Sequence, residues 1–247
     1  MNKNSIVSLQ KEYSHKSKEF DEKLLKIPLQ DTLQKFSFVP DLAEAASVNL
    51  LFVDPKTAFL RKPVSESLLQ AAESFSQQGL TLKLESAYRT LDEQRRKFVT
   101  RYKSVRKNYP KYTKTKALKK ANIYTAGVPI LAAHTAGAAV DVTLLDKNGQ
   151  LLDFGVPYNY GDIESITDYP HLSKKVKDNR KLLKEGMEKF GFINYPFEYW
   201  HYSIGDVCAA YLGGQDTAVF GPVEFDSQSH NLTTPIKGKQ LREFFNV

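Results

Sequence analysis

Two short segments, far apart in the sequence, hold the side chains that most constrain how this chain can fold. The first runs from His134 to Asp141, and the second, Phe197 to Tyr202, contains Glu198 and His201. A single His and Glu in an aromatic hexapeptide are most simply interpreted as a core strand with one satisfied histidine. Two imidazoles and two carboxylates, however, match a catalytic zinc centre, which has three protein ligands, an open fourth position and a nearby base. If the segments form one site, the fold must bring them together.

Composition sets the class of protein. At 247 residues, with 41% hydrophobic and 26% charged residues, the chain is an ordinary globular protein that can bury a sizeable core. The single cysteine, Cys208, excludes an intrachain disulfide and a Cys-rich zinc site, so a bound metal must use His and carboxylate ligands. No segment approaches the roughly 18 apolar residues that span a bilayer, and no signal peptide is recognisable. We therefore expect no membrane span and a cytoplasmic location.

The net charge of +7 is concentrated in one stretch. Twelve Lys or Arg residues lie between Arg95 and Lys120, and no Asp or Glu lies between Glu93 and Asp141. A solvated basic helix and loop is the simplest interpretation, and a positive rim beside a site for a carboxylate-ended substrate is the alternative. No recognisable nucleic-acid motif accompanies the stretch, so we expect no nucleic-acid partner.

Hydrophobic periodicity and capping residues predict alternating helices and strands. The predicted helices are an N-terminal one ending near Lys26, one from Pro63 towards Gly79, one from Thr90 to about Asn108, one from Ser173 to Phe190, and a short one over Val207–Leu212. The predicted strands are residues 48–53, Leu80–Leu84, and a hairpin that contains Asp141, turns at Asn148-Gly149 and returns through Leu151-Leu152. We assign residues 1–222 to a single domain with an N-terminal helical segment, and residues 223–247 to a loosely packed C-terminal extension.

Arg89 lies between a predicted strand end and a predicted helix start, a common location for functional groups. Thr90 and Glu93 have the spacing of a capping box, which fixes the helix start. On its own, Arg89 is equally well interpreted as a surface arginine.

His134 precedes the strand of Asp141, and Gly137 permits a tight bend between them, although a helix would also place residues seven apart on one face.

Taken together, these motifs resemble the VanX-type D-alanyl-D-alanine dipeptidases, a group of zinc peptidases related to VanY-type carboxypeptidases and, in fold, to hedgehog domains. The resemblance rests on Leu60-Arg61-Lys62-Pro63-Val64, Ser86-Ala87-Tyr88-Arg89, His134-x-x-Gly137-x-Ala139-x-Asp141-x-Thr143-Leu144 and Glu198-x-Trp200-His201-Tyr202. It extends from about Leu50 to Pro222. It implies an α+β fold in which helices pack on a central, mainly antiparallel sheet that carries the metal ligands.

The resemblance also implies roles for individual residues. His134, Asp141 and His201 would bind one zinc per chain, Glu198 would be the general base, and Arg89 would stabilise the oxyanion. Hydrolysis of a peptide bond needs these functions: an activated water, a carboxylate that takes its proton, and a fixed positive charge. On a regular strand Glu198 and His201 would point to opposite faces. The chain must therefore bend after Pro196, or Glu198 must reach around the end of a strand.

The sequence departs from the resembled family at the substrate-binding end. A serine that usually lies two positions before the first zinc histidine is Ala132 here, and an aspartate that meets the substrate amine is replaced by Asn159. Asp162, three residues later, is a candidate replacement for that carboxylate, and Tyr88 is assigned with Asn159 and Asp162 to substrate binding.

Three functions remain open from the sequence. The first is hydrolysis of D-alanyl-D-alanine or a related D,D-dipeptide. The second is D,D-carboxypeptidase or endopeptidase activity on longer peptidoglycan peptides. The third is a zinc-bearing binding domain without catalysis, which would not need Glu198 beside the ligands.

Overall fold

The computed structural model describes residues 3–226, 231–236 and 238–247. The α-helices are α1 Lys3–Leu24, α2 Val39–Ala45, α3 Lys62–Ser76, α4 Leu91–Asn108, α5 Lys114–Asn122, α6 Lys174–Glu188 and α7 Val207–Leu212. The strands are β1 Phe36–Phe38, β2 Leu50–Phe52, β3 Phe59–Arg61, β4 Thr81–Ser86, β5 Ala139–Leu145, β6 Ile193–Asn194, β7 His201–Ser203, β8 Val223–Asp226 and β9 Asn231–Pro235.

A five-stranded sheet with the order β2-β4-β5-β7-β6 forms the centre of the molecule. Strands β2 and β4 are parallel, and the other three neighbouring pairs are antiparallel. The predicted α+β class with a mainly antiparallel central sheet is confirmed. In the register of β5 and β7, Asp141 lies directly opposite His201. Strand pairing therefore joins the two segments that the sequence singles out.

The main hydrophobic core lies between this sheet and helices α3 and α6. Its buried side chains include Val64, Leu68 and Phe75 of α3, Leu183 and Met187 of α6, and Leu82, Val140, Val142 and Leu144 of the sheet. Strand β5 is buried on both faces and not only at its alternate apolar positions. On the polar face, the buried hydroxyl of Thr143 donates a hydrogen bond of 2.7 Å to Glu85, which satisfies it away from water. A second apolar cluster joins α1 to α7.

The predicted helix starts are confirmed by their caps. The hydroxyl of Thr90 accepts the Glu93 N–H at 3.1 Å and begins α4, and Ser173 caps α6 in the same way. Each such cap stabilises a helix by about 1 kcal/mol relative to alanine. Because α4 begins immediately after Thr90, the preceding Arg89 is held at a fixed junction between β4 and α4.

A tight turn precedes β5. Residues Ala133–Ala136 form a single 3₁₀ turn, and Gly137 follows with φ of 63°. A Cβ at position 137 would collide with the ring of Phe36, so this position requires glycine both for its backbone and for its space. The buried Arg61 secures the turn, because its Nε donates to the Ala136 carbonyl at 2.9 Å. The predicted bend at Gly137 is thus confirmed.

The predicted hairpin after β5 is shorter than expected. In the described part of the chain, a single backbone bridge between Leu145 and Leu151 follows the Asn148-Gly149 turn. The chain then leaves the sheet, because the Asp153 carboxylate accepts the Gly155 N–H at 2.9 Å and forms a competing turn. The second strand is therefore only a bridge.

The loose packing expected for residues 223–247 is wrong for several described side chains. Phe225 is buried, with its ring centroid 4.4 Å from that of Phe36 and 5.6 Å from that of Tyr88. Leu241 is also buried. These contacts involve isolated aromatic and aliphatic side chains without periodicity, which give no signal in the sequence. The domain division at residue 222 stays a prediction.

Among the described residues, no helix combines the length and the apolar character needed to cross a membrane.

Candidate metal centre and its cleft

Three side chains converge where β5, β7 and the turn before β5 meet. Oδ1 of Asp141 lies 2.9 Å from Nδ1 of His201 and 3.3 Å from Nε2 of His134. One potential ligand atom of each residue lies within 4.8 Å of the other two. Two imidazole nitrogens and one carboxylate oxygen at this spacing form a donor set that suits zinc and leaves a fourth position open. The residues predicted as metal ligands are thus brought together.

A hydrogen bond fixes the orientation of His134. Its Nδ1 lies 2.7 Å from the carbonyl oxygen of Ala87, in the segment that connects β4 to α4. With the proton on Nδ1, the ring donates to this carbonyl, and the lone pair of Nε2 points towards Asp141. A backbone carbonyl behind the far nitrogen is a common partner of a metal-binding histidine.

The other carboxylate oxygen of Asp141 is also engaged. The hydroxyl of Tyr158 donates a hydrogen bond of 2.9 Å to Oδ2. Both oxygens of Asp141 therefore have defined partners, and the carboxylate cannot rotate freely. Tyr158 also packs edge-on against Trp200, with ring centroids 5.6 Å apart, which holds the phenol in position.

The electrostatics of the cluster favour an ionised Asp141. Burial alone would raise the pKa of Asp141, but the charges and hydrogen bonds of His134 and His201 hold it well below its usual range. Burial lowers the pKa of His134, against the influence of Asp141, which favours the neutral imidazole that a metal requires. Burial acts in the same direction on His201, but the hydrogen bond to Asp141 and its charge raise the pKa of His201.

Glu198 lies in a turn and not on the strand. Its N–H donates to the Tyr195 carbonyl at 3.1 Å, and the His201 N–H donates to the Glu198 carbonyl at 3.2 Å. Strand β7 begins only at His201, so the bend expected after Pro196 is present. Burial raises the pKa of Glu198 to about 7, against the opposing influence of the His201 charge. A carboxylate with such a pKa can accept and return a proton near neutrality.

Arg89 is directed into the same cleft by its neighbours. One guanidinium nitrogen, Nη1, donates to Oε1 of Gln94 at 2.7 Å, and Nε lies 3.9 Å from the Glu93 carboxylate. Gln94 is buried and in turn donates to the Ala126 carbonyl at 2.8 Å. The guanidinium is therefore a fixed positive group, which is the property needed to stabilise developing negative charge.

The cleft at the three clustered side chains has a volume of about 660 Å³. The cluster, Glu198 and Arg89 line its base. One wall comes from α1 through Asp21 and Leu24, and another comes from α4 through Lys97, Thr100 and Arg101. Most basic side chains of this stretch are exposed on α4, on α5 and in the loop between them, and a few of them, including Lys97 and Arg101, also line the cleft.

Of the residues predicted to bind substrate, Asn159 lines the cleft and adopts a φ of 61°. Asp162 does not belong to the lining residues. Its carboxylate accepts the N–H of Ile163 at 2.7 Å and lies 3.3 Å from the side-chain nitrogen of Gln10. Ala132 also lines the cleft.

Tyr88 is placed away from the cleft. Its hydroxyl donates to the Val223 carbonyl and accepts the Phe225 N–H, each at 3.1 Å. These bonds anchor β8 to the domain. The contacts give Tyr88 a structural role in place of the predicted contact with substrate, because its polar group is already satisfied by the C-terminal strand.

Sequence reasoning missed two residues of the site. Tyr158 could have been noticed as the tyrosine that directly precedes Asn159, in the loop where the motif departs from the resembled family. Asp21 gives no local signal, because its position depends on how α1 packs across the domain.

The chain is similar in sequence to D-alanyl-D-alanine dipeptidases. A D-alanyl-D-alanine dipeptidase of Synechocystis sp. is 37% identical over 84 residues, which cover 30% of this chain and 34% of that protein. A D-alanyl-D-alanine dipeptidase of Enterococcus faecium is 29% identical over 152 residues, which cover 58% of this chain and 71% of that protein. The chain thus spans about a third of the length of the Synechocystis relative.

Among solved structures, the LdcB LD-carboxypeptidase aligns with a TM-score of 0.45 and 18% identity, covering 72% of this chain and 71% of that chain. The Peptidase_M15 family, described as D-ala-D-ala dipeptidase, matches residues 49–214, a range that contains all three clustered side chains, Glu198 and Arg89. Since this match extends over well more than half of the sequence, the chain belongs to the Peptidase_M15 family.

Proposed function

We propose that this chain is a zinc-dependent peptidase that hydrolyses D-alanyl-D-alanine or a related D,D-dipeptide. The observation that carries the proposal is that Glu198 and Arg89 line the same cleft as the cluster of His134, Asp141 and His201. The name D-alanyl-D-alanine dipeptidase of the relatives in Synechocystis and Enterococcus faecium supports this choice of substrate.

The donor set of the cluster fits one zinc ion per chain. His134 would contribute Nε2, His201 would contribute Nδ1, and Asp141 would contribute Oδ1, because these atoms face one another. When bound, zinc would supply a Lewis acid that polarises the peptide carbonyl and makes water more acidic. No cysteine belongs to this described cluster, and the mixed nitrogen and oxygen donors favour zinc over Mg²⁺ or Ca²⁺.

The remaining residues would carry the proton and the charge. Glu198 takes a proton from the attacking water, whose oxygen forms a bond to the carbonyl carbon. The same carboxyl then delivers the proton to the leaving amine as the C–N bond breaks. Its pKa of about 7, raised by burial, suits both steps. Arg89, fixed by Gln94, faces the negative charge that develops on the carbonyl oxygen.

A second function, D,D-carboxypeptidase or endopeptidase activity on longer peptidoglycan peptides, is favoured by the size of the cleft. Its volume of about 660 Å³ lies within the range of about 300–1,000 Å³ that is typical of sites for drug-sized ligands. Such a cleft accommodates more than a dipeptide. Its wall on α4, with Lys97 and Arg101, would suit a substrate with additional carboxylates.

A comparison of substrates tests the proposal. Zinc-loaded protein is incubated with D-alanyl-D-alanine, with its N-acetylated form and with muropeptides that end in D-alanyl-D-alanine, and released D-alanine is quantified. We expect the free dipeptide to have the highest kcat/KM. Faster cleavage of muropeptides would establish the second function. Zinc binding without hydrolysis of any of these substrates would instead identify a non-catalytic binding domain. A cytoplasmic location stays a prediction from the sequence.

A further inference from the structure

Asp21 is a carboxylate that the N-terminal helix brings to the wall of the cleft, although α1 lies outside the residues matched by the family. Its Oδ2 accepts one hydrogen bond, of 2.7 Å, from Nδ2 of Asn122. A carboxylate offers about four acceptor positions, so most of its capacity is unused by this neutral partner. In the described part of the chain, no basic side chain pairs with it. A half-buried carboxylate without a cation is costly to desolvate, and a positively charged ligand would offset that cost.

Asp21 and Glu198 both lie within electrostatic reach of Tyr195 and of Tyr13. The ring of Phe20, the preceding residue, lies 5.9 Å from the ring of Tyr195, and that ring lies 5.8 Å from His201. The pKa of the Tyr195 hydroxyl is raised first by burial and then by the negative charges of Asp21 and Glu198. The same two carboxylates, after burial, raise the pKa of Tyr13. Two hydroxyls thus lie within electrostatic reach of both carboxylates.

We propose that Asp21 binds the N-terminal ammonium group of the substrate and thereby makes the site selective for peptides with a free amino terminus. This inference rests on the proposed peptidase function and assigns a recognition residue to it. Asn122 would hold the carboxylate in one orientation, and the ammonium would occupy the acceptor positions that Asn122 leaves free. Hydrogen bonds that involve an ionised group are roughly twice as strong as neutral ones. Because N-acetylation removes the charge of the amine, an ion pair with Asp21 can distinguish a free from a blocked amine.

Two other residues compete for this role on the same cleft. Asp162 is not part of the lining, and its carboxylate already accepts the N–H of Ile163. Asn159 lines the cleft but offers only a neutral carbonyl oxygen. Among the other described carboxylates of the lining, Asp141 belongs to the metal cluster and Glu198 is the proposed base. Glu93 lies 3.9 Å from Nε of Arg89 and 3.7 Å from Nζ of Lys97, and Asp206 accepts hydrogen bonds from Ser203 and Ala209.

A simpler interpretation is that Asp21 only ties α1 to the end of α5 through Asn122. The substitution Asp21→Asn separates the two interpretations, because its side-chain oxygen can still accept from Asn122 while the negative charge is lost. A purely structural role predicts no change in selectivity for the amine. The proposed role predicts that selectivity depends on the charge.

Binding is measured by calorimetry on the zinc-loaded full chain carrying Glu198→Gln, so that the peptide is not consumed. The two ligands are D-alanyl-D-alanine and N-acetyl-D-alanyl-D-alanine. We expect the addition of Asp21→Asn to weaken binding of the free dipeptide roughly 10- to 100-fold and to leave binding of the acetylated form unchanged. The matched control, Asp162→Asn in the same background, retains the preference for the free amine.

If the preference for the free over the acetylated dipeptide is the same with and without Asp21→Asn, the inference is overturned. It is also overturned if the Glu198→Gln protein does not distinguish the two ligands. Loss of the preference in Asp162→Asn alone would assign the role to Asp162. If Asp21→Asn does not fold, Asp21→Glu keeps the charge and is expected to retain part of the preference, whereas Asp21→Ser should lose it.

Hydrolysis by the wild-type chain is measured separately. An inactive wild type with an Asp21-dependent preference would refute the proposed activity but keep this inference.

Discussion

The hydroxyl of Tyr158 donates a 2.9 Å hydrogen bond to Oδ2 of Asp141, while Oδ1 of the same carboxylate faces His134 and His201. Tyr158 thus holds the one carboxylate of the cluster in the rotamer that directs an oxygen towards both imidazoles. Residues in this position commonly affect metal affinity about 10- to 100-fold.

We therefore expect Tyr158→Phe to weaken zinc binding about 10-fold without unfolding the chain, because only the hydroxyl is removed. The dissociation constant is measured by competition with a chromophoric chelator. Tyr160→Phe, a change at an exposed tyrosine in the same loop, serves as the control and should leave zinc affinity unchanged. Identical affinities of the two variants would show that Tyr158 does not position Asp141.

The ligand assignment itself is tested at His201. We expect about one zinc per chain in the wild type and loss of most of it in His201→Ala, since one of three protein ligands is removed. Elemental analysis of dialysed protein gives the ratio. His171→Ala changes an exposed histidine outside the cluster and should retain the metal. Full zinc occupancy in His201→Ala would remove this residue from the ligand set.

Glu198→Gln separates the base from the ligands. The amide keeps the size of the side chain but cannot accept the proton of water, so kcat should fall by about 10²- to 10⁴-fold while zinc stays bound. Initial rates on D-alanyl-D-alanine and zinc content are measured on the same samples, with the exposed Glu185→Gln as a control. Loss of zinc together with activity would make Glu198 a ligand, and near-normal turnover would place the base elsewhere.

Much of the fold follows from local signals in the sequence. The caps at Thr90 and Ser173 and the turn glycine at position 137 each act within a few residues, so their effects can be read from the sequence alone. The central strand β5 was predicted from the alternation of Val140, Val142 and Leu144, which line the core.

The site was only partly predictable for a physical reason. His134, Asp141 and His201 lie in two segments with distinctive motifs, whereas the contacts of Asp21 and Tyr88 depend on elements that pack from the ends of the chain. Long-range packing of this kind leaves no periodic pattern near either residue. For the same reason the sequence could not show that Phe225 packs tightly against Tyr88.

The pH dependence of stability provides a test of the burial of Asp21. Burial raises the pKa of Asp21 to about 7, against the opposing effect of the hydrogen bond from Asn122. The unfolded carboxyl has a pKa near 4, so between about pH 4 and 7 the folded chain binds a proton that the unfolded chain has released. The free energy of unfolding contributed by this group therefore falls as the pH rises through that range.

Asp21→Asn removes this contribution, so the variant should gain stability relative to wild type between pH 5 and pH 8, by about 1–3 kcal/mol. Urea unfolding of the metal-free proteins at both pH values gives the difference. Other titrating groups, Glu198 included, are common to both proteins and cancel in the comparison. A stability difference that does not vary with pH would show that Asp21 ionises normally in the folded chain.

The last prediction concerns Asn159, which lines the cleft with a φ of 61°. Asn and Asp both tolerate this left-handed conformation better than other residues with a side chain, so Asn159→Asp changes charge with little backbone strain. A carboxylate at position 159 offers the substrate ammonium an ion pair in addition to the one proposed for Asp21, whereas Asn159 offers only a neutral amide oxygen. The difference is about 1–3 kcal/mol. We expect a lower KM for D-alanyl-D-alanine and stronger discrimination against the N-acetylated dipeptide.

Values of kcat/KM on both substrates are compared for wild type, Asn159→Asp and Asp162→Ala, with Asn148→Asp in an exposed turn as the charge-matched control. If the wild type already rejects the acetylated form strongly and only Asp162→Ala abolishes that preference, Asp162 is the amine partner, and an added carboxylate at position 159 has no part in recognition.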